Sequence, residues 1–447
     1  MAEHGFAFSA DTFRELAQDA LTLAKKGGAS ACEVNVSEGF GLTASVRRGE
    51  VDTLEYNRDK DLSVTVYLGQ RSGHASTSDF SPTAMAATVE AALAIARFTA
   101  EDPCAGLADR ERLATTFPDL QLHHAWALRA DEAVALARQT EAAAFAADAR
   151  ITNSEGASVG CQEGHFIFAT SEGFMAGYAS SRHSISCAVI AGEGEGMQRE
   201  GWYDCRRAPE DLDSAEHIGC EAARRALGRL GARKIATCRA PVLFAAPVAL
   251  TLMGNFTYAI SGGALYRKAS FLLDSIGQPI FPAHVQIVDD PGIVRGLGSS
   301  AFDNEGVATA RRELVRDGVL QGYLLSSYSA RKLGMESTGN AGGSHNLLVS
   351  GGGGGSLAEM ARRMGRGLVV TELLGSGVNY VTGDYSRGAA GFWVEEGEIA
   401  WPVEEVTIAG NLREMFRNIV AIGDDVLPRS AKRCGSVLIE SMKIAGR

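Results

Sequence analysis

The sequence predicts an α+β protein: an N-terminal domain of two repeated helix–antiparallel strands–helix units, followed by a mostly β C-terminal domain. Three observations carry that expectation. Helical periodicity and period-two alternation follow one another twice, in the same order, at a spacing of about 125 residues. The pieces between the helices alternate apolar and polar side chains, as half-buried antiparallel strands do. After residue 240 regular helices become scarce, and short apolar runs alternate with Gly-rich turns. The expected domains are residues 1–232, with repeat units near 1–118 and 119–232, and residues 233–447.

The first unit opens with an amphipathic helix over 11–26, stopped by Gly27 and Gly28. Strands are expected at 32–37, 42–48, 62–68 and 72–76. In the third, Val64, Val66 and Leu68 share one face, and Ser63, Thr65 and Tyr67 share the other. A helix over 82–98 closes the unit, with Ser81 as cap and Pro82 in the first turn. Residues 101–128, which hold Pro103 and Pro118, read as a linker. The second unit begins with an Ala-rich helix over 130–147, where Asp131 and Glu132 meet the positive end of the dipole. Strands at 158–161, 165–170, 174–180 and 184–190 follow, then a helix over 209–230 that ends at Gly231. In the C-terminal domain, strands are expected at 283–287, 318–325, 391–394 and 403–408, with two or three helices, among them 357–366 and 412–419. The run Gly351–Gly355 cannot hold one backbone conformation unaided and reads as a mobile loop, a tether or a lid.

Composition excludes several function classes. With 447 residues, 45% apolar and 22% charged, the chain has the profile of a soluble globular protein of two or three domains. A net charge of -11 is the wrong sign for gripping phosphate backbones, so no nucleic-acid partner is expected. Cys32, Cys104, Cys161, Cys187, Cys205, Cys220, Cys238 and Cys434 are scattered, with no C-x-x-C and no finger spacing. Glu3, His4, Asp11 and Arg14 interrupt any signal-peptide pattern, and no run of apolar residues is long enough to span a bilayer. A reducing cytoplasm and no membrane are the expectation.

Metal hydrolysis needs clustered ligands. The histidines are His4, His74, His123, His124, His165, His183, His217, His284 and His345, and only His123 and His124 are close in sequence. Adjacent residues point apart in either regular structure. No HExxH, HExxxH or inverted form occurs. His217 and Glu221, one helical turn apart, read as an exposed pair. Gly156-Ala157-Ser158-Val159-Gly160 spells G-x-S-x-G but leads into a strand rather than a strand–turn–helix elbow, and is read as chance. Gly192 to Gly196 carries two glutamates and reads as a hairpin turn. Asp289-Asp290 and Glu395-Glu396 adjoin Pro291 and Gly397 and read as solvated turns. Taken alone, the residues support an α+β protein without a self-contained catalytic site.

Several segments together resemble the C-terminal domain of the TldD/TldE peptidase family, most closely its TldE (PmbA) branch. They are Ala264 to Lys268, Val288 to Pro291, Ala301 to Gly306, Gly318 to Tyr323, Met335 to Ala341 and the tail Arg433 to Gly446. In the TldD branch an H-E-x-x-x-H helix precedes the segment matching Ala264 to Lys268. Counting back without gaps places Gly254, Asn255 and Ala259 at its His, Glu and His positions. The resemblance implies that Cys434 matches the family's third zinc ligand. It implies a zinc metallopeptidase built from a TldD-like and a TldE-like chain that acts on small or unfolded polypeptides. This chain would hold no zinc, the TldD-like partner would carry it, and Asn255, Thr338, Gly339, Asn340 and His345 would border the substrate cleft. Isolated from that partner, the chain would pair with itself as a homodimer. A stand-alone hydrolase, and a regulatory binding protein in keeping with the family's older name, modulator of DNA gyrase, remain the alternatives.

Overall fold

The computed structural model describes residues 5–446; Glu3 and His4, and the outermost ends of both expected domains, lie outside them. Helix α1 (Ala10–Lys26) forms because Phe13, Ala17, Ala20, Leu21 and Ala24 recur on one buried face. Ser9 Oγ accepts the Thr12 N–H at its start, and the Gly27 N–H closes its end on Leu23 O. Strands β1 (Ala31–Arg47), β2 (Glu50–Leu68) and β3 (Arg71–Thr77) form a meander, and α2 (Pro82–Phe98) starts where Ser81 caps Ala84 N–H. The pieces expected at 32–37 and 42–48 are one strand. Gly39 and Gly41 do not break it because β1 is paired along both edges.

The second unit runs α3 (Ala130–Ala147), β4 (Ile151–Thr170), β5 (Met175–Ala176), β6 (Ala179–Ala191), β7 (Gln198–Arg206) and α4 (Ala215–Gly228). Its expected strands at 158–161 and 165–170 likewise fuse into β4. Strand β7 was not anticipated, since Glu200-Gly201-Trp202-Tyr203-Asp204 lacks alternation. The helix expected over 209–230 begins late: a single turn at Pro209–Asp211 precedes it, and Ser214 Oγ takes the His217 N–H as the true cap.

Strands β1 and β4 pair antiparallel from Glu33↔Thr170 to Val46↔Ala157. This joins both units into one seven-stranded sheet, ordered β3-β2-β1-β4-β6-β7 with β5 beside β4. Helices α1 and α2 cover Val34, Val36, Leu62, Val64 and Val66 on one half; α3 and α4 cover Leu42, Ala44, Val159, Ile185 and Val189 on the other. At the seam, His165 Nε2 lies 2.9 Å from Glu38 Oε1, and the ring stacks on Phe13 at 4.4 Å. Glu38 also accepts the N–H groups of Ala7 and Phe8, which lead into α1. Glu163 repeats the device in the second unit, accepting Trp126 N–H and holding His123 Nε2 at 2.7 Å.

The C-terminal part contains β8 (Cys238–Phe244), α5 (Ala246–Ala259), α6 (Gly262–Tyr266), β9 (Gln286–Asp290), β10 (Arg312–Arg316), β11 (Val319–Leu320), α7 (Ser327–Leu333) and β12 (Asn346–Ser350). It continues with α8 (Leu357–Met364), β13 (Gly367–Leu374), β14 (Asp384–Glu395), β15 (Glu398–Asn411), α9 (Leu412–Arg417), β16 (Ile419–Ile422), β17 (Lys432–Arg433) and β18 (Val437–Ala445). One sheet runs β11-β10-β9-β12-β17. The other runs β15-β14-β13-β8-β18-β16, and β18 pairs back onto β15, closing a ring. More helices are present than the two or three expected. Helix α5, which the family resemblance places at Gly254 to Ala259, has no amphipathic period to announce it because it is apolar nearly all round, with Leu252, Met253 and Phe256 fully buried. Each such side chain contributes about 1.5–3 kcal/mol of burial. No helix among the described residues is long and apolar enough to cross a membrane.

Two further expectations are corrected. Gly351–Gly355 is a fixed crossing rather than a mobile loop. Gly351 O accepts Ile422 N–H at 2.9 Å, Gly354 N–H donates to Ile422 O at 3.0 Å, and Gly355 O accepts Asp424 N–H at 2.8 Å. Glycine is required there for positive φ and for backbone approach: a Cβ at Gly354 would lie 2.6 Å from Ile422 O. The linker over 101–128 is a strap bonded to the C-terminal part. Arg331 donates to the carbonyls of Gly106 and Leu107, Ala114 N–H to Gly306 O, and Ala308 N–H to Arg112 O.

Helices α3 and α4 touch at Gly219, where an added methyl would overlap Thr140 O and lie 3.0 Å from Ala143 Cβ. Gly219→Ala is expected to cost about 1–3 kcal/mol in urea unfolding. Gly254→Ala, with nothing within 4 Å of the added methyl, is expected to gain about 0.5–1 kcal/mol from helix propensity.

Candidate functional site

Gly254, Asn255 and Ala259 all fall on α5. Gly254 faces open space. Asn255 is 7% exposed; its Oδ1 accepts a hydrogen bond from Tyr380 Oη at 2.8 Å, and its Nδ2 is buried without a partner. Ala259 is fully buried in the C-terminal core, and its carbonyl accepts the Ser270 hydroxyl. Zinc needs imidazole, thiolate or carboxylate donors. Hydrogen, a neutral amide already engaged and a buried methyl supply none, so these residues do not fit the metal. Among the described residues, no group of three or more His, Cys, Asp or Glu side chains is arranged to hold a metal ion.

Cys434, just after β17, is 1% exposed in the same core. Burial, reinforced by the charge of Asp425, pushes its thiol well above the usual range.

Thr338, Gly339, Asn340 and His345 come together away from α5, around a carboxylate read above as part of a solvated turn. Asp289 is in β9 and has no exposed surface. Its Oδ1 accepts His345 N–H at 2.7 Å, and its Oδ2 accepts Asn340 Nδ2 at 2.9 Å and lies 3.1 Å from His345 Nδ1. Thr338 Oγ1 and Arg312 Nη1 both donate to Asn340 Oδ1. Gly339 has φ 69°, and its backbone runs against Ala308 O. Buried polar groups need partners, and here they find them in one another. The neighbouring Asp290 is partly exposed; its carboxylate accepts Gly292 N–H and lies 3.5 Å from Arg311 Nε. Glu395 and Glu396 are exposed at the β14–β15 turn, as expected.

A cleft not read from the sequence borders the N-terminal sheet. It lies between the polar face of the seven-stranded sheet and the loop Phe302-Asp303-Asn304, and encloses about 440 Å³. Glu33, Thr65 and His74 stand side by side on β1, β2 and β3 by direct register. Thr65 Oγ1 lies 3.2 Å from His74 Nδ1 and hydrogen-bonds Glu33. Phe166, Phe168 and Tyr178 form an aromatic wall beside Phe302. A second cavity of about 590 Å³ shares Glu33 and Asn304 and continues under the strap to Tyr328 and Lys332. Burial, with the charge of Glu305, pushes Glu33 up to about 7 against the Thr65 hydrogen bond. Burial pushes Asp303 to about 6, although the N–H groups of Ala341 and Glu305 oppose it. Asp303 thereby ties the Asn340 segment to the cleft. None of Asn255, Thr338, Gly339, Asn340 and His345 lines either cavity. The available signal was the polar side of each alternating strand, where Thr65 was already placed.

Comparison with known proteins follows the same divisions. Residues 32–96 match the family model PmbA/TldA metallopeptidase domain 1, residues 123–230 its central domain and residues 237–446 its C-terminal domain. The chain is 52% identical over 433 residues to the metalloprotease PmbA of Escherichia coli O157:H7, covering 97% of this chain and 96% of that one. A crystal structure of a proposed modulator of DNA gyrase from Bacteroides thetaiotaomicron superposes with a TM-score of 0.91 at 29% identity, covering 97% and 99% of the two chains. TldE from Thermococcus kodakarensis shares the fold, with a TM-score of 0.84 at 22% identity over 96% of this chain and all of that one, 100%.

Asp289→Ala would orphan the His345 N–H and the Asn340 amide, and is expected to cost about 3 kcal/mol or more in urea unfolding. Asp290→Ala is expected to cost under about 1 kcal/mol. Glu33 gains its proton near pH 7 in the folded chain, against about 4.3 when unfolded. Between those values the native state holds more protons, so Glu33 makes stability fall as pH rises. Glu33→Gln is therefore expected to raise stability by about 1–3 kcal/mol near pH 8 and to change little near pH 4, measured by urea unfolding across pH.

Proposed function

The chain belongs to the PmbA/TldD metallopeptidase family, and on that premise we propose that it is the zinc-free subunit of a hetero-oligomeric peptidase. In this reading a TldD-like partner carries zinc, general base and nucleophilic water. This chain completes the chamber that holds small or unfolded polypeptide substrates. One observation carries the proposal: α5 is an intact, well-packed helix whose Gly254, Asn255 and Ala259 offer no metal donors. Here Ala259 packs without exposure and Asn255 is held by Tyr380.

The polar sheet face supports the substrate class. An extended peptide presents backbone donors and acceptors at strand spacing, and a wall of hydroxyls, amides and carboxyls can receive them with little regard to sequence. Folded proteins bury those groups and would be passed over.

The test is to purify the chain alone and mixed with a TldD-like chain, and to follow cleavage of an unfolded polypeptide. Activity is expected only in the mixture. Cleavage by the isolated, metal-stripped chain would overturn the proposal.

A further inference from the structure

Strand β2 is covered along only half its length. β3 pairs with it from Leu62↔Thr77 to Leu68↔Arg71 and then turns away. From Glu50 to Asp61 its outer edge has no strand beside it among the described residues, while β1 pairs with the whole of its inner edge. Exposed edges are ordinarily covered, shortened or blunted, because their unpaired N–H and C=O groups template another strand.

The two faces of this edge differ sharply. On the helix side, Val51, Leu54 and Tyr56 are 45%, 48% and 49% exposed. Their β1 neighbours across the ladder, Val46, Ala44 and Leu42, are buried in the core beneath α3 and α4. The helix layer therefore stops one strand short of three apolar side chains. On the opposite side, Glu55, Asp59 and Asp61 project beside Thr53 and Asn57. The two basic side chains of the segment are drawn back onto their own subunit. Arg58 lies 3.6 Å from Glu38 and over Phe40, and Lys60 sits over Phe80 at 4.7 Å.

We propose that this edge docks an extended strand of another polypeptide in which basic and apolar residues alternate. Backbone pairing would extend the seven-stranded sheet by one strand. Apolar side chains of the incoming strand would cover Val51, Leu54 and Tyr56, and its basic side chains would face Glu55, Asp59 and Asp61. A second copy of this chain does not suit the edge, because antiparallel self-pairing would set those carboxylates against their own copies. The inference stands independently of where the peptidase zinc is bound.

The experiment uses the full chain and a capped peptide of alternating lysine and valine. Its controls are a glutamate–valine peptide and a lysine–valine peptide with the lysines in one block. Binding is followed by fluorescence anisotropy and located by amide hydrogen exchange. Saturable binding of the alternating basic peptide, with new protection in 50–61, is expected. Glu55→Lys with Asp59→Lys, both at exposed positions, is expected to weaken it about tenfold and to gain binding of the glutamate–valine peptide. Absence of binding, equal binding of both charge types, indifference to alternation, or protection elsewhere would overturn the proposal. Protection of 50–61 in the free chain by self-association would overturn it too, by giving the edge to a second copy.

Discussion

The pairing of β1 with β4 is the constraint on which the rest of the molecule depends. Each strand belongs to a different repeat, and neither repeat closes a sheet alone. Their antiparallel register from Glu33↔Thr170 to Val46↔Ala157 places two helix pairs on one face. The other face is left polar and turned toward the C-terminal part. Glu38 and His165 mark the seam, buried together and directly opposite in the ladder. Because that carboxylate also holds the segment leading into α1, sheet register and helix docking are coupled through one side chain. The strap between the repeats must cross from α2 to α3. In crossing, it supplies the carbonyls that Arg331 grips, and so fixes the cleft between the two parts.

The division between what could and could not be read in the sequence follows the range of the interactions. Helices α1, α2 and α3 were legible because their signals are local: periodic apolar positions and Gly27 beyond α1, Ser81 and Pro82 at the start of α2, and Asp131 and Glu132 in the first turn of the Ala-rich α3. The long strands were broken into fragments because Gly39, Gly41 and Gly164 look like interruptions. Only two-sided pairing shows that they are not. Asp289 was misread because its partners lie 51 and 56 residues away in sequence, at Asn340 and His345. The five-glycine run was misread for a related reason: the backbone it must approach, at Ile422 and His284, is distant in sequence. Glu33, Thr65 and His74 form a row only through register across three strands, so no spacing along the chain announces it.

The degenerate helix gains meaning from its surroundings. Large side chains removed from a core leave cavities that cost stability, and the buried side of α5 shows close packing in place of them. The helix carries Leu252, Met253 and Phe256 fully buried, with Phe256 edge-on to Phe281 and Phe416, while Gly254 faces open space. Only the Asn255 amide nitrogen lacks a partner on its own subunit. A packed helix without metal donors is the physical pattern expected of a chain whose partner performs the cleavage.

The most direct measurement of this claim is zinc binding by equilibrium dialysis, with the chain alone and then with a TldD-like partner. The account predicts no stoichiometric zinc in the isolated chain and zinc retained by the assembly, unchanged when Cys434 is replaced by alanine here. Stoichiometric zinc bound by the isolated chain and lost on Cys434→Ala would contradict it.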